Sequence, residues 1–172
     1  PDRRRRARRN PHEGCVVLII DDSPTILTAL KRVLRSAGCV ALEAPDAEQG
    51  LALAARQRPE LIFLDIVLPG MNGFAALRAI RRDVNTRDIP VIMMSGHATI
   101  DTAVEATRIG AMSFLEKPIT LQKLLKAVKK VPLFMPFSLV DVASLQQNKS
   151  KKLKTKSGQN LVCQIACLLR LD

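Results

Sequence analysis

The chain of 172 residues has no tryptophan and no tyrosine, and its aromatic content of 3% comes from five phenylalanines. It has only four cysteines, too few for a disulfide-stapled mini-protein. No apolar run approaches the roughly 18–20 residues that a membrane span needs. The first apolar run, residues 15–20, ends at Asp21 and Asp22, which excludes a signal-peptide core. We therefore expect a cytoplasmic location and no membrane insertion.

Hydrophobic residues make up 47% of the chain, which is enough for the core of one ordinary domain. The formal net charge is +11, and most of it lies at the two ends. Residues 1–14 hold six basic against two acidic residues, and so do residues 131–172. We predict a basic disordered arm at 1–14, a folded domain at 15–131 and a tail of unknown structure at 132–172. Basic ends attract nucleic acid through phosphate contacts, so a nucleic-acid-binding regulator is an alternative function.

Apolar runs and amphipathic stretches alternate from residue 15 to residue 131. Short apolar runs predict buried strands at 15–20, 40–44, 61–65, 90–94 and 113–116. Helical periodicity predicts helices at 24–37, 47–57, 74–82, 99–109 and 121–131, and Ala103, Val104 and Ala106 form a small-residue face on the fourth. Strands that are each followed by a helix need right-handed crossovers. The predicted fold class is α/β, a five-stranded parallel sheet with helices on both faces.

Polar side chains stand at the carboxyl ends of four predicted strands. Asp21 and Asp22 follow the first strand, Asp65 ends the third, Ser95 follows the fourth and Lys117 follows the fifth. Ligands of open parallel sheets bind at this edge. Three neighbouring carboxylates repel one another unless a cation neutralises them, and their oxygens suit Mg²⁺. A carboxylate beside a metal ion, a lysine and a serine is a suitable phosphoryl acceptor and would become an aspartyl phosphate.

Four short segments carry a specific resemblance. They are 20–23 (Ile-Asp-Asp-Ser), 65–73 (Asp-Ile-Val-Leu-Pro-Gly-Met-Asn-Gly), 94–96 (Met-Ser-Gly) and 114–118 (Phe-Leu-Glu-Lys-Pro). In their order and spacing, residues 15–130 resemble the CheY-like receiver domain of two-component response regulators, which has a (βα)5 flavodoxin-like fold. Residues 95–111 are similar to receivers of enhancer-binding transcription activators. This similarity leaves open that the chain is the receiver fragment of a larger transcription regulator.

The resemblance implies a phosphoacceptor and a Mg²⁺ site. Asp65 would take the phosphoryl group from a sensor histidine kinase or a phosphotransfer protein. Asp22, Asp65 and the backbone carbonyl of Val67 would bind Mg²⁺ directly, and Asp21 would act through water.

The resemblance also implies a phosphoryl pocket and a switch. Lys117, Ser95 and the backbone N–H of Gly96 would contact the phosphoryl oxygens. Ser95 and Phe114 would move together as the switch, and the peptide bond before Pro118 would be cis. The face formed by the fourth helix, fifth strand and fifth helix would then bind a downstream effector or a second copy. The chain would be a phosphoacceptor switch and no enzyme beyond its own phosphorylation and dephosphorylation.

Two other function classes differ from this interpretation by testable features. A Mg²⁺-dependent phosphohydrolase also uses a strand-end aspartate, but it needs a second aspartate two residues later, where Val67 stands. A nucleic-acid binder would act through the basic ends. Removing residues 1–14 and 132–172 would then abolish a steeply salt-dependent affinity.

Overall fold

The computed structural model describes residues 14–128 and 131. The predicted basic arm, apart from Gly14, and the predicted tail at 132–172 lie outside the described residues. The strands are β1 (Val16–Ile20), β2 (Val40–Ala44), β3 (Leu61–Asp65), β4 (Val91–Ser95) and β5 (Ser113–Glu116). The helices are α1 (Pro24–Ser36), α2 (Ala47–Gln57), α3 (Gly73–Arg82), α4 (Ile100–Ile109) and α5 (Leu121–Val128).

The strands form one sheet in the order β2-β1-β3-β4-β5, and every neighbouring pair is parallel. This arrangement confirms the predicted α/β fold. Within the described residues, no helix is both long enough and apolar enough to cross a membrane.

Two apolar clusters cover the two faces of the sheet. Alternate residues of β1 point to opposite faces: Val17 and Ile19 lie in one cluster, and Leu18 and Ile20 lie in the other. The first cluster contains residues of α1 and α5, and the second contains residues of α2, α3 and α4. The central strands are therefore buried on both sides, as their continuous apolar runs predict.

The prediction that all five strands are buried is wrong for the two strands at the edges of the sheet. β2 pairs only with β1, so Val40 is 48% exposed and Glu43 is also exposed. β5 pairs only with β4, and Leu115 is its one buried residue. The predicted small-residue face of α4 is also only partly buried, because Ala106 is enclosed whereas Val104 is 60% exposed. Local apolar character does not reveal which elements have a neighbour on each side.

Four helices begin at a side chain that accepts a hydrogen bond from the first turn. Such caps satisfy backbone N–H groups that have no partner within the helix. The capping contacts are Ser23 Oγ with the amide of Ile26 at 3.5 Å, Asp46 Oδ1 with Gln49 at 2.8 Å, Asn72 Oδ1 with Ala75 at 2.9 Å and Thr99 Oγ1 with Thr102 at 3.1 Å. The caps at Ser23, Asn72 and Thr99 fix where each helix leaves the loops at the carboxyl edge of the sheet.

Gly73 packs directly against the backbone that follows Asp65. A Cβ atom at this position would lie 2.7 Å from the Cα of Ile66, 2.9 Å from the carbonyl carbon of Asp65 and closer still to the carbonyl oxygen of Asp65. The amide of Gly73 also donates to the carbonyl of Ile66 at 2.8 Å. Because the neighbours are backbone atoms, they cannot rotate away from a side chain.

We expect Gly73→Ala to lower the free energy of unfolding by about 1–3 kcal/mol, since an added methyl group must displace the backbone beside Asp65. Urea denaturation monitored by circular dichroism measures the change. Gly96→Ala is the matched control, because a Cβ there would have no described atom within 4 Å. Equal stability of the two variants would contradict the prediction.

Candidate functional site

The register of the sheet places the predicted site residues at one edge. Asp65 is the last residue of β3 and pairs with Met94, one residue before Ser95 at the end of β4. Ser95 in turn pairs with Glu116, one residue before Lys117. Ile20 pairs with Leu64, so Asp21 follows β1 at the same level. Strands β1, β3, β4 and β5 therefore deliver three carboxylates, a hydroxyl and an ammonium group to one end of the sheet.

Asp21, Asp22 and Asp65 form a compact carboxylate cluster. One oxygen from each residue lies within 4.8 Å of the other two. Asp21 is 0% exposed and Asp65 is 3% exposed, whereas Asp22 faces solvent. Ser23 contributes to this arrangement, because its backbone amide donates to Asp21 Oδ1 at 2.9 Å. The cluster is therefore buried on one side and open to solution on the other.

Lys117 bridges the two buried carboxylates. Its Nζ atom lies 2.7 Å from Asp21 Oδ2 and 2.7 Å from Asp65 Oδ2. The contact with Asp65 is a hydrogen bond. The contact with Asp21 is an ion pair, because Oδ2 accepts no hydrogen bond of suitable geometry from the described residues. The backbone holds Lys117 in place, since its amide donates to the carbonyl of Ser95 at 2.7 Å.

Burial and charge act in opposite directions on these groups. Burial raises the pKa of Asp21 and outweighs the opposing effects of Lys117 and of the Ser23 amide, while the nearby Asp65 raises it further. Burial opposes the charge of Lys117, but the two carboxylates outweigh it and the pKa of this ammonium group is raised. At neutral pH, Lys117 is therefore a fixed cation beside the Asp21 carboxylate, which burial makes costly to keep charged.

The cluster fits a divalent cation with oxygen ligands. Three carboxylates opposite one ammonium group leave an excess of negative charge, and Asp21 Oδ2 is a buried oxygen without a hydrogen bond. Mg²⁺ prefers oxygen ligands and usually keeps several waters, which the open side at Asp22 can supply. Val67 lies beside the cluster, because its amide donates to Asp65 Oδ1 at 3.3 Å. Its side chain is 66% exposed.

Ser95 and Gly96 form the side of the site next to β4. Ser95 is 2% exposed, and its Oγ accepts a hydrogen bond from the amide of His97 at 3.1 Å. Gly96 is exposed, and the position that a Cβ atom would take there is open. The peptide bond between Lys117 and Pro118 is cis. These residues stand at the same edge as the carboxylates.

Phe114 is a partly buried residue of β5 and lines a groove of about 670 Å³ between α4, β5 and α5. The groove also contains Ile100, which is 83% exposed, and Lys126. The structure therefore places the predicted switch aromatic at the predicted partner-binding face.

Sequence reasoning gave no site role to two residues that shape the cluster. Ser23 caps α1 through its side chain and binds Asp21 through its amide. Gly73 allows the start of α3 to approach the backbone that carries Asp65. The capping role of Ser23 has a signal in the sequence, because an N-cap residue followed by proline often begins a helix. No local signal reveals the role of Gly73, because the close approach is tertiary.

Comparisons with known proteins agree on one family. A family model described as the response regulator receiver domain matches residues 17–129. Protein PilH of Pseudomonas aeruginosa is 38% identical over 115 residues, which cover 67% of this chain and 95% of PilH. Three longer regulatory proteins also match, and the chain spans 24% to 52% of their lengths.

Solved structures give the same result. Chemotaxis protein CheY4 of Vibrio cholerae is similar with a TM-score of 0.65 and 30% identity, over 69% of this chain and 98% of that protein. The receiver domain of the sensor histidine kinase PA1611 of Pseudomonas aeruginosa has a TM-score of 0.63 and 29% identity, over 69% of this chain and 97% of that domain. That structure is described with a magnesium ion coordinated in its active-site cleft.

Proposed function

Because the chain belongs to the response regulator receiver domain family of two-component signalling, we propose that Asp65 accepts a phosphoryl group in a Mg²⁺-dependent reaction. The observation that carries this proposal is the position of Asp65. It is a buried carboxylate within 4.8 Å of two others and 2.7 Å from Lys117 Nζ. Such a group can act as a nucleophile while neighbouring cations neutralise the incoming phosphate.

In the proposed step, a carboxylate oxygen of Asp65 forms a bond to phosphorus while the bond to the donor's leaving group breaks. The donor is a phosphohistidine of a sensor histidine kinase or of a phosphotransfer protein, or a small acyl phosphate. Lys117 pairs with a phosphoryl oxygen as negative charge spreads over the group. Mg²⁺, held by Asp22, Asp65 and the Val67 carbonyl with Asp21 through water, would supply further charge neutralisation.

We propose that the phosphoryl group is coupled to the α4–β5–α5 face through Ser95 and Phe114. Ser95 Oγ would leave the His97 amide and donate to a phosphoryl oxygen, with the Gly96 N–H as a second donor. Phe114 would then leave the groove between α4, β5 and α5, which changes the surface available to an effector or a second copy. The phosphoryl group stabilises only the state in which it makes better contacts, so this is a population shift.

We propose that the protein is a cytoplasmic switch and that it catalyses only its own phosphorylation and dephosphorylation. The longer relatives, of which the matched region is only 24% to 52%, support a second arrangement, in which this receiver is one part of a larger regulator. The phosphohydrolase alternative needs an acid at position 67, which is valine. The proposed nucleic-acid function rests on the basic ends outside the described residues.

Acetyl phosphate labelling followed by intact-mass measurement tests the phosphoacceptor. With Mg²⁺, we expect the protein to gain a phosphoryl adduct of about 80 Da. The adduct should be absent from Asp65→Asn and from samples treated with EDTA. Asp88→Asn is the matched control, because this side chain is 94% exposed and should leave labelling unchanged. Circular dichroism shows whether each variant is folded. If folded Asp65→Asn takes up phosphate to the parental extent, the proposal is wrong.

A further inference from the structure

Two cysteines face each other at the end of the sheet where the strands begin, which is opposite the end that carries the carboxylate cluster. Cys15 precedes β1 and Cys39 precedes β2, and the next residues, Val16 and Val40, are partners in the parallel pair. The Sγ atoms are 2.7 Å apart, with the Cys15 thiol donating to Cys39. Neither residue is in a disulfide. Because the two cysteines are 24 residues apart, no local pattern in the sequence indicates this contact.

The backbone fixes the two residues opposite each other. Hydrogen bonds join the Gly14 amide to the Gly38 carbonyl at 3.0 Å and the Val40 amide to the Cys15 carbonyl at 2.7 Å. Neighbouring strands are about 4.8 Å apart, which lies within the range of Cα separations that disulfides span, about 4.4–6.8 Å. An S–S bond of about 2.05 Å requires only a small movement of the two sulfurs.

We propose that Cys15 and Cys39 are a thiol pair that low-molecular-weight disulfides oxidise to a reversible intramolecular disulfide joining β1 to β2. In the first step, the Cys15 thiolate attacks one sulfur of the oxidant, the S–S bond of the oxidant breaks and one thiol leaves. In the second step, the Cys39 thiolate attacks Cys15 Sγ and the second thiol leaves. The protein loses two protons and two electrons, and the oxidant is reduced to two thiols.

The surroundings set the order and the speed of these steps. Cys15 is partly exposed and Cys39 is 5% exposed, so the oxidant reaches Cys15 first. Burial raises the pKa of Cys15 to about 12, and the contact with Cys39 and the charge of Glu60 contribute. Little thiolate is present at neutral pH, so oxidation is slow. The pair therefore responds to sustained oxidising conditions rather than to a brief pulse.

The disulfide would cross-link residues 24 positions apart in sequence, and the closed loop contains all of α1. Restricting the unfolded chain in this way stabilises the folded state, and we expect the melting temperature to rise by about 10 °C. The phosphoacceptor site stays open, because Cys15 and Asp21 lie at opposite ends of β1, roughly 20 Å apart.

Peptide mapping after oxidation of the full chain tests the proposal. The folded protein is incubated with 1 mM oxidised glutathione at pH 8, the remaining thiols are alkylated and the protein is digested with trypsin. We expect the main disulfide product to be peptide 10–31 linked to peptide 36–56, which hold Cys15 and Cys39. Dithiothreitol should reverse the linkage. Oxidation in 8 M urea is the control, because unfolding removes the preference for this pair among the four cysteines.

The outcomes separate the proposal from simple thiol reactivity. Linked peptides in the native protein, and a higher melting temperature in a Cys163→Ser, Cys167→Ser background, support it. Cys15 carrying only glutathione, linkage mainly to Cys163 or Cys167, or two unreacted thiols would overturn it. Because the peptide maps come from the parental chain, they hold whether or not a cysteine variant folds.

Discussion

Replacing Lys117 with methionine should reduce the rate of phosphoryl uptake from acetyl phosphate by a factor of about 10²–10³. This is the usual loss when one positioned charge donor is removed from a developing anion. Lys117 Nζ lies 2.7 Å from Asp65 Oδ2, so its charge stands beside the proposed nucleophile. The rate is measured by intact mass over time at saturating Mg²⁺. A matched control is Lys31→Met, which breaks a 2.9 Å ion pair with Glu43 on the surface and should change the rate less than twofold.

The same substitution should also destabilise the protein. Asp21 and Asp65 would keep their buried carboxylates without the ammonium group, and breaking a buried pair in this way costs about 3 kcal/mol. Mg²⁺ should recover more stability in Lys117→Met than in the parental protein, because the added cation compensates for the missing charge. Urea unfolding with Mg²⁺ and with EDTA measures both effects. Phosphoryl uptake at the parental rate by a folded variant would show that Lys117 has no role in the reaction.

Replacing Asp21 with asparagine should stabilise the protein at neutral pH by about 1–3 kcal/mol in the absence of Mg²⁺. Asp21 is fully buried, and Oδ2 accepts no hydrogen bond from the described residues. Burial raises the pKa of this carboxyl above its usual value of 3.8, so the folded state binds the proton more tightly than the unfolded state does. Asparagine removes the charge and keeps the size of the side chain.

The pH dependence gives this prediction a definite sign. Because the pKa of Asp21 is raised by folding, its contribution to stability is fully present below pH 3.8 and is lost as the pH rises through the folded-state value. The free energy of unfolding of Asp21→Asn should therefore exceed that of the parental protein at pH 7 and approach it near pH 4. Lys117 stays charged throughout, since its pKa is raised above 10.5.

Urea unfolding in EDTA at several pH values measures the difference, with Asp88→Asn as the control for an exposed aspartate. Mg²⁺ should stabilise Asp21→Asn less than the parental protein, because one carboxylate of the cluster is missing. If Asp21→Asn is less stable than the parental protein at pH 7, the attraction of Lys117 for Asp21 outweighs the cost of burying the carboxylate.

The proposed phosphorylation site and the proposed disulfide lie at opposite ends of the strands of the same sheet. The carboxylate cluster follows the carboxyl ends of β1 and β3, whereas Cys15 and Cys39 precede β1 and β2. A disulfide would join β1 to β2, the outermost strand of the sheet, which has β1 as its single neighbour. The two modifications can therefore be measured separately on the same molecule.

The fold class and the kinds of side chain at the site can be predicted from the sequence. Continuous apolar runs such as 61–65 predict strands buried on both faces, and the polar residues that end them mark one edge of a parallel sheet. These patterns depend on residues close in sequence, where the period of a strand or helix decides which side chains are buried. The position of Asp65 at a strand end follows from the same local rule.

Which side chains meet across the sheet depends on the three-dimensional fold and has no signal in the sequence. Lys117 contacts Asp65 from 52 residues away, and Cys15 contacts Cys39 from 24 residues away. The exposure of Val40 and the close approach of Gly73 to Asp65 also depend on which strands and loops are neighbours. Strand order and register come from packing of the whole sheet and leave no local period in the sequence. The sequence therefore identifies the reactive groups, whereas the fold determines their separations and hence their chemistry.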